Sequence, residues 1–280
     1  MGEQATRRTT ARLTCAEWHP NATTTVLALH GLTSTSETWS PLATALPHTR
    51  LLAPDLPGRG GSVTTTASPG LPGHAAAVVA LVDDLDLTDL TVVGHSMGAF
   101  LAPLVAAALG DRVRKLVLAD GGIPPDPSPL LSRPVVKAIF TAQALFLGRR
   151  WRTPDAFLEA TEGRVLRTRP DLRPSAREAA AYLLDGNGRP RLRRHRLVAD
   201  AADTLAGPPT LTAVRDLEVP VHLLAAAHGT HDGAAAFLND AALARASALL
   251  PRLTIERVDA NHVTLPSHPR LAAAVSSDPA

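Results

Sequence analysis

Ser96 lies in Gly94-His95-Ser96-Met97-Gly98, a G-x-S-x-G pattern. The run before it, Leu90-Thr91-Val92-Val93, is apolar and β-branched and reads as a buried strand. The run after it, from Ala99 to Leu109, reads as a helix that tolerates Pro103 near its first turn. Strand, pattern and helix in this order are the setting of a nucleophile elbow. The turn exposes the serine Oγ, and the two glycines let neighbouring backbone pass without a Cβ clash. An alcohol needs a base to take its proton as it attacks, and His262, after the last expected strand, is the candidate. The negative charge that develops on a substrate carbonyl needs two backbone donors. Met97 N–H follows the nucleophile, and Leu32 N–H lies in the turn after His30-Gly31. Trp39, His95 and Phe100 are candidates for the wall of a substrate pocket, although core positions would suit them equally.

Apolar runs alternate with helical stretches along most of the chain, which predicts an α/β fold: a mostly parallel central sheet with helices on both faces. Strands are expected at Ala11–Glu17, Thr24–Leu29, Arg50–Pro54, Leu90–Val93, Val113–Ala119, Val219–Ala226 and Leu253–Val258. Helices are expected at Ser36–Ala45, His74–Asp84, Met97–Leu109, Ala241–Leu249 and His268–Val275. His30-Gly31, Asp55, Ser96, Asp120, Asp232 and His262 all fall at strand ends, where ligands bind in open α/β sheets. Between Gly121 and Leu217 the strand alternation stops. Expected helices at Val135–Leu147, Pro154–Arg167, Ala176–Leu184 and Leu197–Leu205 are broken by prolines. That stretch reads as an inserted helical cap, residues 123–216, between two parts of one core, 1–122 and 217–280.

Composition narrows the function. A chain of 280 residues can bury one large α/β core, and a formal net charge of +2 gives no reason to expect nucleic acid as a partner. Cys15 is the only cysteine, so no intrachain disulfide can form. No run approaches a membrane span, and the polar first twenty residues lack a signal peptide's apolar segment, so a cytoplasmic location is expected. Met1-Gly2-Glu3-Gln4-Ala5-Thr6 fits the myristoylation pattern, which is short enough to arise often by chance. His228, His231 and Asp232 have the spacing H-x-x-H-D, but no further ligand cluster accompanies them, and a serine triad needs no metal. No phosphate loop or dinucleotide fingerprint is present, so neither metal nor cofactor is expected. From Arg149 to Arg196 there are thirteen arginines against six acids. They read as a solvated helical surface, or as a face that would dock an acidic carrier protein.

From about Arg12 to Val275 the chain resembles the α/β-hydrolase superfamily, and most closely its small, capped, cofactor-free serine hydrolases of the esterase and lipase type. Four motifs carry the resemblance: His30-Gly31-Leu32-Thr33, Asp55-Leu56-Pro57-Gly58-Arg59-Gly60-Gly61-Ser62, the elbow from Gly94 to Gly98, and Val258-Asp259-Ala260-Asn261-His262. The resemblance implies a Ser-His-acid triad acting through an acyl-enzyme on a small-molecule substrate. The family's acid usually follows the strand expected at Val219–Ala226, which favours Asp232, although that residue lies about three positions later than the common spacing. Asp120, at the end of the preceding core strand, is the alternative. A carboxylic ester or lactone of a small to medium apolar substrate is the leading expectation. A thioesterase that unloads carrier-bound acyl chains is the second. A carbon–carbon bond hydrolase is less favoured, because Ala99 stands where those enzymes usually carry a further glycine. A ligand-binding receptor on a hydrolase scaffold is the non-enzyme alternative.

Overall fold

The computed structural model describes residues 5–10, 12–123, 132–206, 213, 215, 217–250 and 252–278. Met1–Gln4 of the myristoylation pattern, and 124–131, 207–212, 214 and 216 of the expected cap, lie outside the described residues. Eight strands form one sheet: β1 Thr6–Thr9, β2 Thr14–Trp18, β3 Thr24–Leu29, β4 Thr49–Pro54, β5 Leu90–His95, β6 Val113–Ala119, β7 Val221–His228 and β8 Leu253–Asn261. Their order is β1-β2-β4-β3-β5-β6-β7-β8. β2 is antiparallel to both β1 and β4, and every other pairing is parallel.

Alternation along the central strands divides the core into two layers. Leu27, Leu29, Val92, Leu116 and Leu118 face one side, against α2 (Leu71–Asp84) and α3 (Met97–Leu109). Val26, Ala28, Val93, Val117 and Ala119 face the other, with Trp39, with Leu42 of α1 (Ser40–Ala45), and with Leu271 and Val275 of the final helix Pro269–Ser276. A period of two is what a strand buried on both faces requires. β1 was not expected, because its four residues Thr-Arg-Arg-Thr are all exposed and carry no apolar pattern. It is a polar edge strand, a form that discourages pairing with other chains.

Between β6 and β7 lie α4 (Arg133–Leu147), α5 (Pro154–Thr161), α6 (Gly163–Thr168), α7 (Arg173–Leu183) and α8 (Arg194–Leu205). α5 starts where Thr153 Oγ1 accepts the Ala156 N–H at 3.1 Å and Pro154 supplies a preset φ. The helix expected over Pro154–Arg167 is two helices, because the backbone leaves helical geometry at Glu162 (φ −124°, ψ 2°). These helices share a core of their own, including Leu147, Trp151, Phe157, Leu166, Leu183 and Leu197, and Leu32 packs against it from the sheet side. Residues 55–62 form the seam between sheet and helices. Gly60 N–H donates to Arg191 O at 2.9 Å, and Arg193 N–H donates to Gly58 O at 2.9 Å. The Tyr182 hydroxyl of α7 donates to the Asp55 carboxylate, whose Oδ1 accepts the Ser36 N–H at 2.8 Å.

Candidate active site

Ser96 sits between β5 and α3 with φ 55° and ψ −122°. A non-glycine residue at positive φ costs on the order of 1–3 kcal/mol and persists only where its surroundings fix it. Ser96 N–H donates to Ala119 O at 3.0 Å, and Ser96 O accepts from Ala99 N–H at 2.9 Å. The flanking glycines are needed for contact rather than torsion. A Cβ on Gly94 would lie 2.2 Å from Gly98 O, and one on Gly98 would lie 2.0 Å from Leu29 O.

His262 follows β8, with its N–H on Gly229 O at 2.7 Å. Its Nδ1 is 2.6 Å from Asp120 Oδ2. Asp120 lies one residue past β6 and is buried, with its other oxygen accepting the Ala226 N–H at 3.1 Å. Nδ1 therefore carries the proton, and Nε2 is left as the imidazole's acceptor. The ring lies between two others, with centroids 4.6 Å from His95 and 4.5 Å from Phe237. His95 Nε2–H donates to His262 O at 2.9 Å. Burial holds the His95 pKa well below the usual histidine range, so it stays neutral beside His262.

Asp232, favoured from the sequence as the acid, does not make this contact. Its Oδ1 accepts from Asn261 Nδ2 at 2.6 Å. The reason is the loop after β7, which closes on itself. Gly229 N–H bonds Ala234 O at 3.0 Å, and Ala234 N–H bonds His231 O at 3.0 Å, so the extra residues curl outward and leave Asp232 exposed. Asn261 Oδ1 in turn accepts from Val263 and Thr264 N–H at 3.1 and 3.0 Å, so Asp232 braces the turn that carries His262. His231 Nε2 meets Arg164 Nη1 at 3.1 Å, and His228 faces Asp259 at 3.7 Å.

The Leu32 amide is oriented by a buried histidine. Leu56 N–H donates to His30 Nε2 at 3.0 Å, so the proton sits on Nδ1, which donates to Gly31 O at 2.8 Å. Gly31 C=O and Leu32 N–H share one planar trans peptide, so holding the oxygen fixes the opposite N–H. Gly31 allows the approach, since a Cβ there would be 3.3 Å from Ser96 Cβ. Met97 N–H opens α3 and is one of the free amides of a helix start.

Desolvation by burial, the largest influence, lowers the His30 pKa from 6.5 to about 4. The unfolded chain then binds more protons than the folded one between these values. Stability accordingly rises with pH through that window and is lost as pH falls through it. The shift corresponds to about 3 kcal/mol at most. Thermal midpoints of the parent protein should drop from neutral pH to pH 4 more steeply than those of His30→Asn, and parallel profiles would contradict this assignment.

Ser96, His262, Leu32 and Met97 line one cavity of about 780 Å³, together with His95 and Phe100. Phe140, Leu147, Phe157 and Leu166 close it from the inserted helices, and Phe237 closes it from the loop after β7. Trp39, a candidate for the pocket wall or for the core, is absent from this lining. It is fully buried in the second core layer beside Leu42. Phe237 was not singled out from the sequence, where it ends a short alanine run, Ala234-Ala235-Ala236, in a loop with no strand or helix periodicity.

Parallel sheet, elbow and strand-end histidine together define a hydrolase architecture. A family model described as the alpha/beta hydrolase family matches residues 26–275, and the chain belongs to that family. It is 37% identical over 124 residues to lipase LipV of Mycobacterium tuberculosis, an alignment covering 44% of this chain and 46% of that protein. The chain thus aligns with less than half the length of this relative. The crystal structure of E-2-(acetamidomethylene)succinate hydrolase superposes with a TM-score of 0.76 at 23% identity, covering 97% of each chain. A thermophilic esterase from Thermogutta terrifontis superposes with a TM-score of 0.69 at 21% identity, over 98% of this chain and 97% of that one. No helix among the described residues is long and apolar enough to cross a membrane.

Proposed function

We propose that the protein is a serine hydrolase that cleaves a carboxylic ester or lactone of a small to medium, largely apolar substrate through an acyl-enzyme. The observation that carries this reading is the 2.6 Å contact between His262 Nδ1 and Asp120, at the edge of a cavity that also contains Ser96. In this reading Ser96 Oγ attacks the carbonyl carbon while His262 Nε2 takes its proton. Asp120 holds the imidazole tautomer and stabilises the imidazolium. Leu32 and Met97 N–H receive the oxyanion. The imidazolium then protonates the departing alkoxide, and a water activated by the same nitrogen releases the acid. Residues 123–216 serve as a cap over a core of 1–122 and 217–280, and their apolar side chains set the preference for apolar acyl groups. Similarity to a lipase supports the ester class.

The carrier-dependent thioesterase reading draws less support. Many of the arginines between Arg149 and Arg196 are engaged within the molecule. Arg167, Arg169 and Arg177 pair with Glu159, Asp171 and Asp155, while Arg193, Arg194 and Arg196 bond backbone carbonyls. The test is covalent labelling by a fluorophosphonate, followed by peptide mapping, alongside turnover of p-nitrophenyl esters. Label on Ser96 with ester turnover is the expected result, and neither label nor turnover overturns the proposal.

A further inference from the structure

Arg59 has no access to solvent. A buried guanidinium must have its donors satisfied, and the partners it has chosen are informative. Nη1 donates to Asp200 Oδ2 at 2.5 Å and to Pro57 O at 3.0 Å. Nε donates to Leu32 O at 3.2 Å, and Nη2 reaches Met97 Sδ at 3.9 Å. One side chain therefore touches both residues whose amides are assigned to the oxyanion. Asp200 belongs to α8, among the inserted helices, and is itself fully buried. Its Oδ2 also meets His74 Nε2 at 2.9 Å, and its Oδ1 accepts Gly70 N–H at 2.8 Å. Burial lowers the His74 pKa, so the ring donates as a neutral imidazole and the Arg59–Asp200 charges cancel.

We propose that Arg59 is a positioning residue for the oxyanion-binding loop, held in place by Asp200 of α8, so that correct seating of the inserted helices is transmitted to the catalytic centre. The proposal rests on the oxyanion roles given above to Leu32 and Met97. His30 fixes the peptide that contains the Leu32 N–H, and Arg59 fixes the next carbonyl, so two consecutive peptides are pinned by two buried side chains. Without the second pin, the Leu32 Cα is held from one side only, and the peptide plane that carries its N–H can tilt. Small displacements of a transition-state donor are expensive, because its benefit depends on prior placement.

The deciding variants are Arg59→Lys and the pair Arg59→Met with Asp200→Leu. Lysine keeps a positive charge for Asp200 but lacks the guanidinium fork that reaches Leu32 and Met97. The apolar pair removes the brace without stranding a buried charge, a replacement that often leaves stability intact. With a p-nitrophenyl ester, both should lower kcat by about 10- to 100-fold with KM within about twofold. Affinity for an alkylboronic acid, which forms a tetrahedral adduct on the serine, should weaken by the same factor as kcat. Arg133→Gln, which removes an exposed ion pair from α4 to Asp203 of α8, should leave both readouts unchanged. If the apolar pair fails to fold, Arg59→Lys decides. A folded variant with parental kcat and boronate affinity overturns the proposal, as does a loss that only follows the thermal midpoint. A parent protein that neither hydrolyses the ester nor binds the boronate overturns the hydrolase reading itself, which is a different result.

Discussion

Replacing Asp120 by asparagine is expected to lower kcat by about 10⁴-fold while the protein stays folded. The argument follows from the two bonds its carboxylate accepts. Ala226 N–H requires an oxygen at one position, and His262 Nδ1–H requires an oxygen at the other. An asparagine has one oxygen. If it satisfies Ala226, its amide nitrogen faces Nδ1, donor against donor, and the imidazole relieves the conflict by moving its proton to Nε2. A histidine protonated at Nε2 cannot accept the serine proton. Asp232→Asn keeps an oxygen for Asn261 Nδ2 and should stay within a few-fold of the parent protein. Measuring kcat and thermal midpoints for both single variants tests the assignment. Loss of activity in Asp232→Asn with retention in Asp120→Asn would place the acid in the loop after β7 instead.

Ser96→Ala should lower kcat further, by about 10⁴- to 10⁶-fold, and abolish fluorophosphonate labelling. The fold should survive, because the elbow is held by backbone bonds from Ser96 N–H to Ala119 O and from Ala99 N–H to Ser96 O, which alanine retains. Activity within tenfold of the parent protein would remove Ser96 as the nucleophile. A Ser96→Ala/Asp120→Asn double variant no slower than Ser96→Ala alone is expected, because the two residues act as one unit, as non-additive triads do.

The sequence made some of this site readable and hid the rest for identifiable reasons. The elbow was legible because its requirements are local: a β-branched run, two glycines where backbone crosses backbone, and a helix after the turn. The His30-Gly31-Leu32 turn was legible for the same reason. Which of Asp120 and Asp232 meets His262 was not, because it depends on how the loop after β7 closes through Gly229 and Ala234, and residue counting cannot supply that. Trp39 illustrates the converse: a large apolar side chain near a candidate site is as well suited to the core, and here it lies there. The Arg59–Asp200 contact joins a core loop to an inserted helix, and no short-range pattern announces a pair so distant along the chain. β1 escaped because a polar edge strand has no alternation to detect.

The seam at residues 55–62 has a consequence for molecular traffic. Backbone bonds from Gly58 and Gly60 to Arg193 and Arg191 stitch one border of the inserted helices to the sheet, so that border cannot serve as a doorway without breaking regular hydrogen bonds. Two aromatic rings on the cavity wall are also substantially open to solvent: Phe146 of α4, 39% exposed, and Phe237, 47% exposed. Both rings therefore stand where the cavity wall meets solvent. Phe237 also packs on the His262 ring while Phe146 packs on Trp151, so trimming Phe146 is expected to change which molecules are admitted, and trimming Phe237 to change both admission and the setting of the base.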